Sequence, residues 1–583
     1  MTINGWSMAR FALIASLSVT GYLLLMQWPE FQRSFQSSTH SLEYANKMGR
    51  ELPHNSIGVE VPELTTPAAS LEPGNTAGDV PTVYSQDQLP DQGGFNGSTR
   101  GQIISVQTDV LNIEINTLGG DVVMGSLPTY PVSLEEANQP TPLLSEKSPV
   151  YVAQSGIIGQ TGFDLNLPQR PVFSSPNKTY QLEFGASELT VPMTLTLDDG
   201  ILVTKRFHFF RDSYLIKVSY EITNQGVDPW LGYLFGQLKR DSSPDQGVAF
   251  SGFALPTYLG TAYWTEEKAY NKLGFDDIAD EAESGRLALD QRVTGGWLSI
   301  IQHYFLTAWI PPKDEVNHYT ARQNKEGHNL IGFTTPGFYV QPGQTVTRSA
   351  ELYIGPKLQS RLESAAEGLE LAIDYGMLFF ISNILMTTLS FIHEHVGNWG
   401  LAIILLTCLV KLCFYYPSAM SYRSMAKMRK VQPKMTRLKE MYGDDKQRFS
   451  QEMLKLYQKE KINPVGGCLP MLLQMPVFLA LYWTLMESVE LRQAPFLGWV
   501  QDLSVMDPYF VLPLLMGVSM FVQMKLNPTP PDPMQAKVMQ FMPIIFTVLF
   551  LFFPSGLVLY WLTNNVLSIA QQWWITRAIE NAA

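Results

Sequence analysis

A single lysine interrupts an apolar run that otherwise suits the interior of a membrane. Lys411 lies in TCLVKLCFYYP, residues 407–417, within the longer run Leu401–Tyr416. A charge at the centre of a transmembrane helix costs about 2.5–3.5 kcal/mol on insertion scales, so such residues usually face a helix bundle or a wet cavity. The alternative is that its long stem extends to the headgroups, because Pro417 is only six residues away.

Polar and amphipathic residues occur at comparable depth in the neighbouring apolar runs. Each of them alone is more often an interhelical hydrogen bond than a functional group. Together with Lys411 they predict a hydrated recess open to the cytoplasm and to lipid. These residues are Thr407, Gln474, Tyr560, Trp561, Asn564 and Asn565.

Recognisable catalytic and metal-binding motifs are absent from the sequence. GxSxG, HExxH and P-loop patterns do not occur, and His393 and His395 are two residues apart, on different faces of a helix. The three cysteines lie in or beside apolar runs with no zinc spacing, and the large polar region has none. The sequence therefore predicts neither an enzyme nor a cofactor or metal site.

Two unlike halves make up the 583 residues. The first, up to about residue 356, is polar with strand-like alternation, and the region after residue 397 contains long apolar runs. Segment 421–465 has twelve Lys or Arg and five Asp or Glu, a net charge of +7 in a chain whose total is −12. The acidic total does not favour a nucleic-acid binder.

The first half predicts an anchor, a linker and a β domain. Phe11–Met26 is an apolar run after Arg10, so residues 1–28 are predicted to be an N-terminal transmembrane anchor. A cleaved signal peptide is the alternative, but no clear small-x-small cleavage site follows. Residues 29–100 have the composition of a flexible linker. Residues 101–356 contain many alternating segments, such as SYLIKVSYEIT, and predict a large antiparallel β-sandwich.

Charge asymmetry fixes the predicted topology of the second half. Residues 357–397 are predicted to be interfacial amphipathic helices, because apolar and polar residues of 377–396 fall on opposite helical faces. One crossing, transmembrane helix 2 at 398–417, then brings the basic segment to the cytoplasm, as the positive-inside rule requires. Residues 466–577 supply helices 3–6, predicted at 466–486, 508–526, 535–553 and 556–576. Six spans result, with both termini in the cytoplasm and residues 578–583 as a short tail.

The basic segment predicts a cytoplasmic helical hairpin over residues 418–465. Asp444 and Asp445 are expected to begin its second helix, and Asn463-Pro464 to end it. Methionines suit an adaptable apolar contact surface, and simple packing between the two helices is the alternative. The predicted contact residues of the hairpin are Met425, Met428, Met435, Asp444 and Asp445.

Several stretches of the sequence resemble the YidC family of bacterial membrane protein insertases. They are SMAKMRKVQPKM at 424–435, GDDKQRFSQEMLKLYQKEKINPVGGCLPMLLQMPVF from residue 443, FMPIIFTVLFLFFPSGLVLYWLTNN at 541–565, and INTLGGDVV at 115–123, which is similar to the Gram-negative form. The resemblance covers about residues 101–577. It implies an insertase that works alone or beside the Sec translocon, with a β-supersandwich of the sugar-mutarotase type that has no known catalytic activity.

The same resemblance implies roles for individual residues. Lys411 falls where the family commonly has an arginine in its groove, which keeps the charge but loses the guanidinium fork. Trp561 replaces a tyrosine seen in some relatives. The chain ends without the basic tail that some members use at the ribosome, so the hairpin is the expected, weak ribosome contact. The implied groove or substrate contacts are Lys411, Thr407, Gln474, Phe552, Tyr560 and Trp561.

The predicted protein is thus an inner-membrane insertase and chaperone. Its fold class is a six-span helical membrane bundle with a large all-β periplasmic sandwich and a cytoplasmic helical hairpin. Its expected partners are nascent membrane proteins, the Sec translocon with its accessory subunits, the ribosome and lipids, with no direct nucleic-acid binding. A secondary transporter with an intramembrane lysine site is the alternative, although no inverted repeat is visible. A membrane-anchored periplasmic carbohydrate enzyme would need a carboxylate–histidine pair that the sequence does not show.

Overall fold

A computed structural model of the chain describes residues 79–81, 101–159, 161–164, 170–244, 257–443, 445–460, 469–527 and 533–581. The predicted anchor at residues 1–28 and Asp444 lie outside the described residues, as does most of the predicted linker. The described part consists of a large β domain followed by a bundle of helices.

The β domain contains nineteen described strands in two sheets. In chain order they are β1 (Ile103–Gln107), β2 (Asn112–Asn116), β3 (Asp121–Pro131), β4 (Pro140–Leu144), β5 (Tyr151–Ile158), β6 (Thr179–Gln181), β7 (Glu188–Thr196), β8 (Ile201–Phe210), β9 (Leu215–Asn224), β10 (Trp230–Arg240), β11 (Gly260–Tyr263), β12 (Asn271–Leu273), β13 (Leu289–Thr294), β14 (Leu298–Ile301), β15 (Phe305–Ile310), β16 (Val316–Gln323), β17 (Asn329–Thr334), β18 (Phe338–Val340) and β19 (Thr345–Pro356).

One sheet has eleven strands and the other has eight. The larger sheet runs β13-β16-β17-β10-β5-β3-β2-β1-β6, with β18 beside β10 and β4 beside β3. The smaller sheet runs β12-β11-β14-β15-β19-β9-β8-β7. Their strand pairs are antiparallel, except that β1 and β6 are parallel. The prediction of a large all-β sandwich is confirmed.

Strand β10 shows how side-chain alternation divides the larger sheet into two faces. Leu234 and Leu238 are buried in the main core of the sandwich. Tyr233 and Phe235 belong to a separate apolar cluster, because successive side chains of a strand point to opposite faces. The larger sheet therefore has a second packed face, turned away from the main core.

Ten α-helices are described, two of them short and within or directly after the β domain. In chain order they are α1 (Phe275–Glu283), α2 (Gln359–Ala365), α3 (Phe379–Val396), α4 (Trp399–Cys413), α5 (Tyr415–Tyr442), α6 (Lys446–Lys459), α7 (Leu469–Glu487), α8 (Val511–Leu526), α9 (Pro533–Phe550) and α10 (Ser555–Asn581). Helix α10 is central, because it packs against α4, α5, α7 and α8.

The outside of this bundle is apolar. On α4 the exposed side chains Leu401, Leu405 and Leu409 recur every four residues and form one face. On α9 the exposed residues include Phe541, Ile544 and Ile545. Monomeric soluble proteins rarely expose apolar surface on this scale, so these faces indicate contact with lipid.

The predicted count of six spans is not confirmed. Within the described ranges, Gly376–Val396 is a 21-residue helix long and apolar enough to cross a membrane. The pair α4 and α5, bent by 69°, adds a second if it is counted as one span, and Val511–Leu526 and Lys537–Phe550 are shorter apolar helices. The interfacial position predicted for 377–396 therefore stays a prediction, as does the number of spans.

The bend between α4 and α5 changes the predicted boundary between transmembrane helix 2 and the hairpin. Helix α4 ends at Cys413, Phe414 forms the turn, and α5 begins at Tyr415, before Pro417. Proline is tolerated in the first turn of a helix, because the amide hydrogen that it lacks would have no partner there. The hairpin helix thus begins three residues before the predicted position.

Polar contacts join the bundle to the β domain. Lys357, directly after β19, forms an ion pair with Glu487 at the end of α7, with Nζ 2.6 Å from Oε2. The side chains are only 1% and 3% exposed. Nearby, His303 Nε2 donates to the Met486 carbonyl at 2.8 Å, and Arg492 Nη2 donates to the Pro131 carbonyl at 2.8 Å. The loop after α7 is therefore fixed to the sandwich.

Removing one partner of the buried pair should destabilise the whole protein. Glu487→Gln leaves the Lys357 ammonium buried without its anion, a change that typically costs about 3–5 kcal/mol. We expect a clearly lower Tm for the detergent-purified chain. The control is Glu281→Gln, which breaks the exposed Arg286–Glu281 pair and should cost no more than about 1 kcal/mol. Equal Tm values for the two variants would contradict the structural role of the buried pair.

Candidate functional site

Lys411 points into the bundle rather than toward its outside. Its side chain is half-buried, and Nζ donates a hydrogen bond to Ser568 Oγ of α10 at 2.7 Å. The neighbouring Leu412 is 73% exposed and faces away from the bundle. The lysine is therefore held between α4 and α10, near the bend at Phe414.

A chain of hydrogen bonds continues from Lys411 along one face of α10. Ser568 Oγ donates to the Asn564 carbonyl at 2.6 Å. The Gln474 amide of α7 donates to Asn564 Oδ1 at 2.5 Å, and its nitrogen lies 3.4 Å from Tyr560 OH. Tyr560, Asn564 and Ser568 are spaced by four residues, so they share one face and span about 12 Å of helix. We call Lys411, Ser568, Asn564, Gln474 and Tyr560 the polar chain.

A second polar contact lies beside this chain on the other side of α10. Asn565 is buried, and its amide donates to Ser519 Oγ of α8 at 3.0 Å. Two turns further along α10, Gln572 donates to Asn527 Oδ1 at 3.0 Å. These bonds connect α8 to α10. They agree with the alternative that Asn565 has a structural role and forms a hydrogen bond between helices.

Aromatic residues pack around the end of the polar chain that contains Tyr560. The Trp561 ring lies 4.4 Å from Phe478 in an edge-to-face arrangement and 5.2 Å from Phe550. Phe478 also stacks on Tyr560, with ring centroids 6.5 Å apart. Phe546 completes the cluster at 6.3 Å from Trp561. Edge-to-face and offset arrangements of this kind are the favoured ones for aromatic pairs.

Two of the predicted groove residues occupy other environments. Thr407 is fully buried, and its hydroxyl donates to the Ile403 carbonyl of its own helix at 2.7 Å. Phe552 lies half-buried in the turn between α9 and α10. The hydrogen bonds of the polar chain described above involve neither Thr407 nor Phe552, so the roles of these two residues as groove or substrate contacts stay predictions.

The basic segment folds into two helices, α5 and α6, that pack on each other. Met435 and Met453 are buried between them with Val431, and Met428 packs against this cluster. Met425 is also buried. These positions favour the packing interpretation of the methionines over an open contact surface.

Charge lies on the outside of the same hairpin. Asp445 caps α6 by accepting a hydrogen bond from the Arg448 amide at 3.0 Å, as predicted for the start of the second helix. The basic side chains described in the hairpin are all exposed: Arg423, Lys427, Arg429, Lys430, Lys434, Arg437, Lys439, Arg448, Lys455 and Lys459.

Sequence reasoning missed Ser568 and Phe478. Ser568 lies four residues after Asn564 in the last apolar run, so its position on the same helical face was a usable signal. Phe478 lies four residues after Gln474 on α7. Neither residue type is unusual in such a run, and only the packing of α7 and α10 gives them their contacts.

Two family models match most of the chain. The one described as 60Kd inner membrane protein matches residues 391–582, and the one described as YidC periplasmic domain matches residues 103–388. The protein named membrane protein insertase YidC from Alcanivorax borkumensis is 46% identical over 594 residues, which cover 98% of this chain and 99% of that protein.

Solved structures give weaker likenesses. An active YidC insertase with its first transmembrane domain resolved matches 81% of this chain and 94% of its own, at 16% identity and a TM-score of 0.36. A galactose mutarotase related enzyme from Lactobacillus acidophilus matches 43% of this chain and 97% of its own, at 8% identity and a TM-score of 0.29. The mutarotase-like description of the sandwich therefore stays a prediction.

A helical bundle with an apolar exterior, fixed to a large antiparallel sandwich, defines an integral membrane protein with a folded domain outside the bundle. The chain belongs to the YidC family of membrane protein insertases. The resemblance found in the sequence is thereby confirmed, and so is an inner-membrane location. The relatives are named as insertases and not as enzymes, and the transporter alternative is not supported.

Water should reach the polar chain but not the apolar exterior of the same helix. We expect Asn564→Cys, after replacement of the native cysteines, to react with a membrane-impermeant maleimide faster than Val566→Cys in native membranes. Val566 is 52% exposed and Asn564 is only half-buried, so simple exposure predicts the reverse order. The reactive species is the thiolate, which forms in water and not in lipid. A faster reaction at residue 566 would contradict a hydrated recess.

Proposed function

We propose that this chain inserts nascent membrane proteins into the inner membrane and helps them to fold. Its membership of the YidC family supports this function, since relatives nearly half identical over almost the whole chain are named as insertases. The single observation that carries the mechanism is the polar chain inside an otherwise apolar bundle, with the ammonium of Lys411 at one end. The clients are the apolar segments of nascent membrane proteins together with the polar tails that precede or follow them.

The polar chain lowers the cost of moving a polar tail across the bilayer. That cost is dominated by removing charged groups from water. A recess that holds water part of the way across shortens the dry path, and Lys411 attracts the carboxylates of an acidic tail. Lysine interacts as a compact point charge, so it can attract a carboxylate without holding it in a fixed bidentate geometry. The tail can therefore move on.

The aromatic cluster forms the second part of the path. The apolar helix of the client slides past Tyr560, Trp561 and Phe552 into lipid, where burial of its apolar surface stabilises it. Tyrosine and tryptophan have an apolar body and a polar end, which suits a boundary between a wet recess and lipid. Thr407 and Gln474 line the same path in this proposal.

The proposed topology has six spans, both termini in the cytoplasm, the sandwich in the periplasm and the hairpin in the cytoplasm. The exposed positive charge of the hairpin supports this orientation by the positive-inside rule. The hairpin is proposed as a weak ribosome contact close to anionic headgroups, through its exposed basic side chains, with Met425, Met428 and Met435 packing its two helices together. Asp444 and Asp445 are proposed to belong to the same contact. The Sec translocon is the proposed partner for clients that need both machines.

A photoreactive residue at Gln474 should capture a client during its synthesis. We expect adducts between the crosslinker at residue 474 and the nascent transmembrane segment of a short, Sec-independent membrane protein. The matched control is Leu479 of the same helix, whose side chain is 42% exposed on the apolar exterior; there we expect lipid adducts and few client adducts. Equal yields of client adducts at residues 474 and 479 would contradict passage along the polar chain. The absence of client adducts at residue 474 would contradict it as well.

A further inference from the structure

Three residues of the predicted linker are docked on the β domain. Asp79, Val80 and Pro81 lie against the larger sheet, on the face turned away from the main core. Asp79 Oδ2 accepts a hydrogen bond from Lys239 Nζ at 2.5 Å, and Asp79 Oδ1 accepts one from Asn324 Nδ2 at 2.7 Å. Both carboxylate oxygens therefore have a donor from the sheet or from the turn after β16.

The backbone of the same residue is bound as well. The Asp79 carbonyl accepts a hydrogen bond from Arg322 Nη2 at 2.9 Å and another from Gln237 Nε2. Arg322 and Gln237 are 8% and 4% exposed. The Asp79 carbonyl therefore uses both of its lone pairs, so the contacts recognise the main chain in addition to the carboxylate.

Apolar contacts hold the next two residues. Val80 packs against the cluster of Ile158, Tyr233 and Phe235, together with Leu231. Pro81 is buried. The segment Asp79–Pro81 thus fills a pocket that has a polar end and an apolar end.

The register of the strands places the polar residues of this pocket next to one another. Gln237 and Lys239 are two residues apart on β10 and therefore point to the same face. Lys239 pairs with Leu330 of β17, which pairs with Arg322 of β16, so the two cations lie in one row across three strands. Strand geometry alone therefore brings two positive groups together.

A buried polar network continues from the pocket across the same face of the sheet, because Gln154 of β5 lies directly opposite Gln237. Gln237 Nε2 also donates to Gln154 Oε1 at 2.9 Å, and Gln154 Nε2 donates to Asp121 Oδ2 at 2.9 Å. Asp121 in turn forms an ion pair with Arg170. This network fixes the orientation of the Gln237 amide, because each of its members has a partner.

Electrostatics favour an anion in this pocket. Burial raises the pKa of the Asp79 carboxyl, but the hydrogen bonds and charges of Lys239, Asn324 and Arg322 lower it by more, so the net pKa is below its usual value. Burial lowers the pKa of Arg322 to about 10, and the guanidinium remains charged at neutral pH. Two buried or half-buried cations without an anion would be costly, so the pocket is built for a carboxylate.

We propose that this face of the sandwich is a binding site for an aspartate within a peptide segment, and that the chain's own Asp79-Val80-Pro81 occupies it. The polar end takes the carboxylate and the carbonyl of the aspartate, and the apolar end takes a branched aliphatic residue followed by proline. Occupation in cis clamps the predicted linker of residues 29–100 to the domain at Asp79–Pro81.

Cleavage by endoproteinase Asp-N tests this clamp in the full-length, detergent-purified chain. The enzyme cuts before aspartate, so the Gly78–Asp79 bond reports directly on the docked segment. In the double variant Lys239→Met/Asn324→Ala we expect cleavage at this bond to become at least about tenfold faster than in the wild type. Cleavage of a native segment follows the population of its open form, and a tenfold change corresponds to about 1.4 kcal/mol.

Two controls separate release of the clamp from general unfolding. Cleavage at the Gln86–Asp87 bond of the same molecules normalises the rate, and the Tm of the double variant shows whether the domain remains folded. Lys325→Ala changes an exposed lysine of the same turn and should leave cleavage before Asp79 at the wild-type rate. Equal normalised cleavage before Asp79 in the wild type and in a folded double variant would overturn the proposal.

Discussion

The helical bundle must accommodate the ammonium group of Lys411 in an otherwise apolar interior, and this is the main physical constraint on its structure. The hydrogen bond from Lys411 to Ser568 satisfies one of its three donors, and Asn564 and Gln474 continue the polar path. Without such partners the charge would have to leave the bundle or lose its proton. The side chains that α7 and α10 place next to Lys411 therefore supply part of the solvation that its charge needs, and in the proposed mechanism the same polar path accommodates polar client tails.

The sandwich and the bundle are joined by a buried charge pair as well as by the chain itself. Lys357 and Glu487 connect the last strand of the sandwich to the end of α7, the helix that also contributes Gln474. A movement of the sandwich would therefore be transmitted to the helix that lines the polar chain. The proposed clamp at Asp79 adds a second fixed point, between the predicted linker and the larger sheet.

Local sequence predicted those features whose signal is local. Lys411 is recognisable because it is a charged residue within an apolar run. The sandwich is predicted by the alternation of apolar and polar residues in its strands. Ser568 gave no such signal, because a serine in a helix is ordinary until its partner 157 residues away is known. Asp79 was hidden for a similar reason: the composition of the linker indicates an average property, whereas its docking depends on a pocket built by three strands. The bend at Phe414 was missed because the apolar run continues through it to Tyr416.

The most direct test of the central claim varies the charge at Lys411 together with the charge of the client. Insertion into membranes would be measured by protease protection for two clients that differ only in an acidic or a neutral tail. With Lys411→Arg we expect both clients to insert as with the wild type. With Lys411→Glu the acidic-tailed client should lose about tenfold more insertion than the neutral one, a difference of about 1.4 kcal/mol. Equal losses for the two clients would contradict an electrostatic role for the lysine.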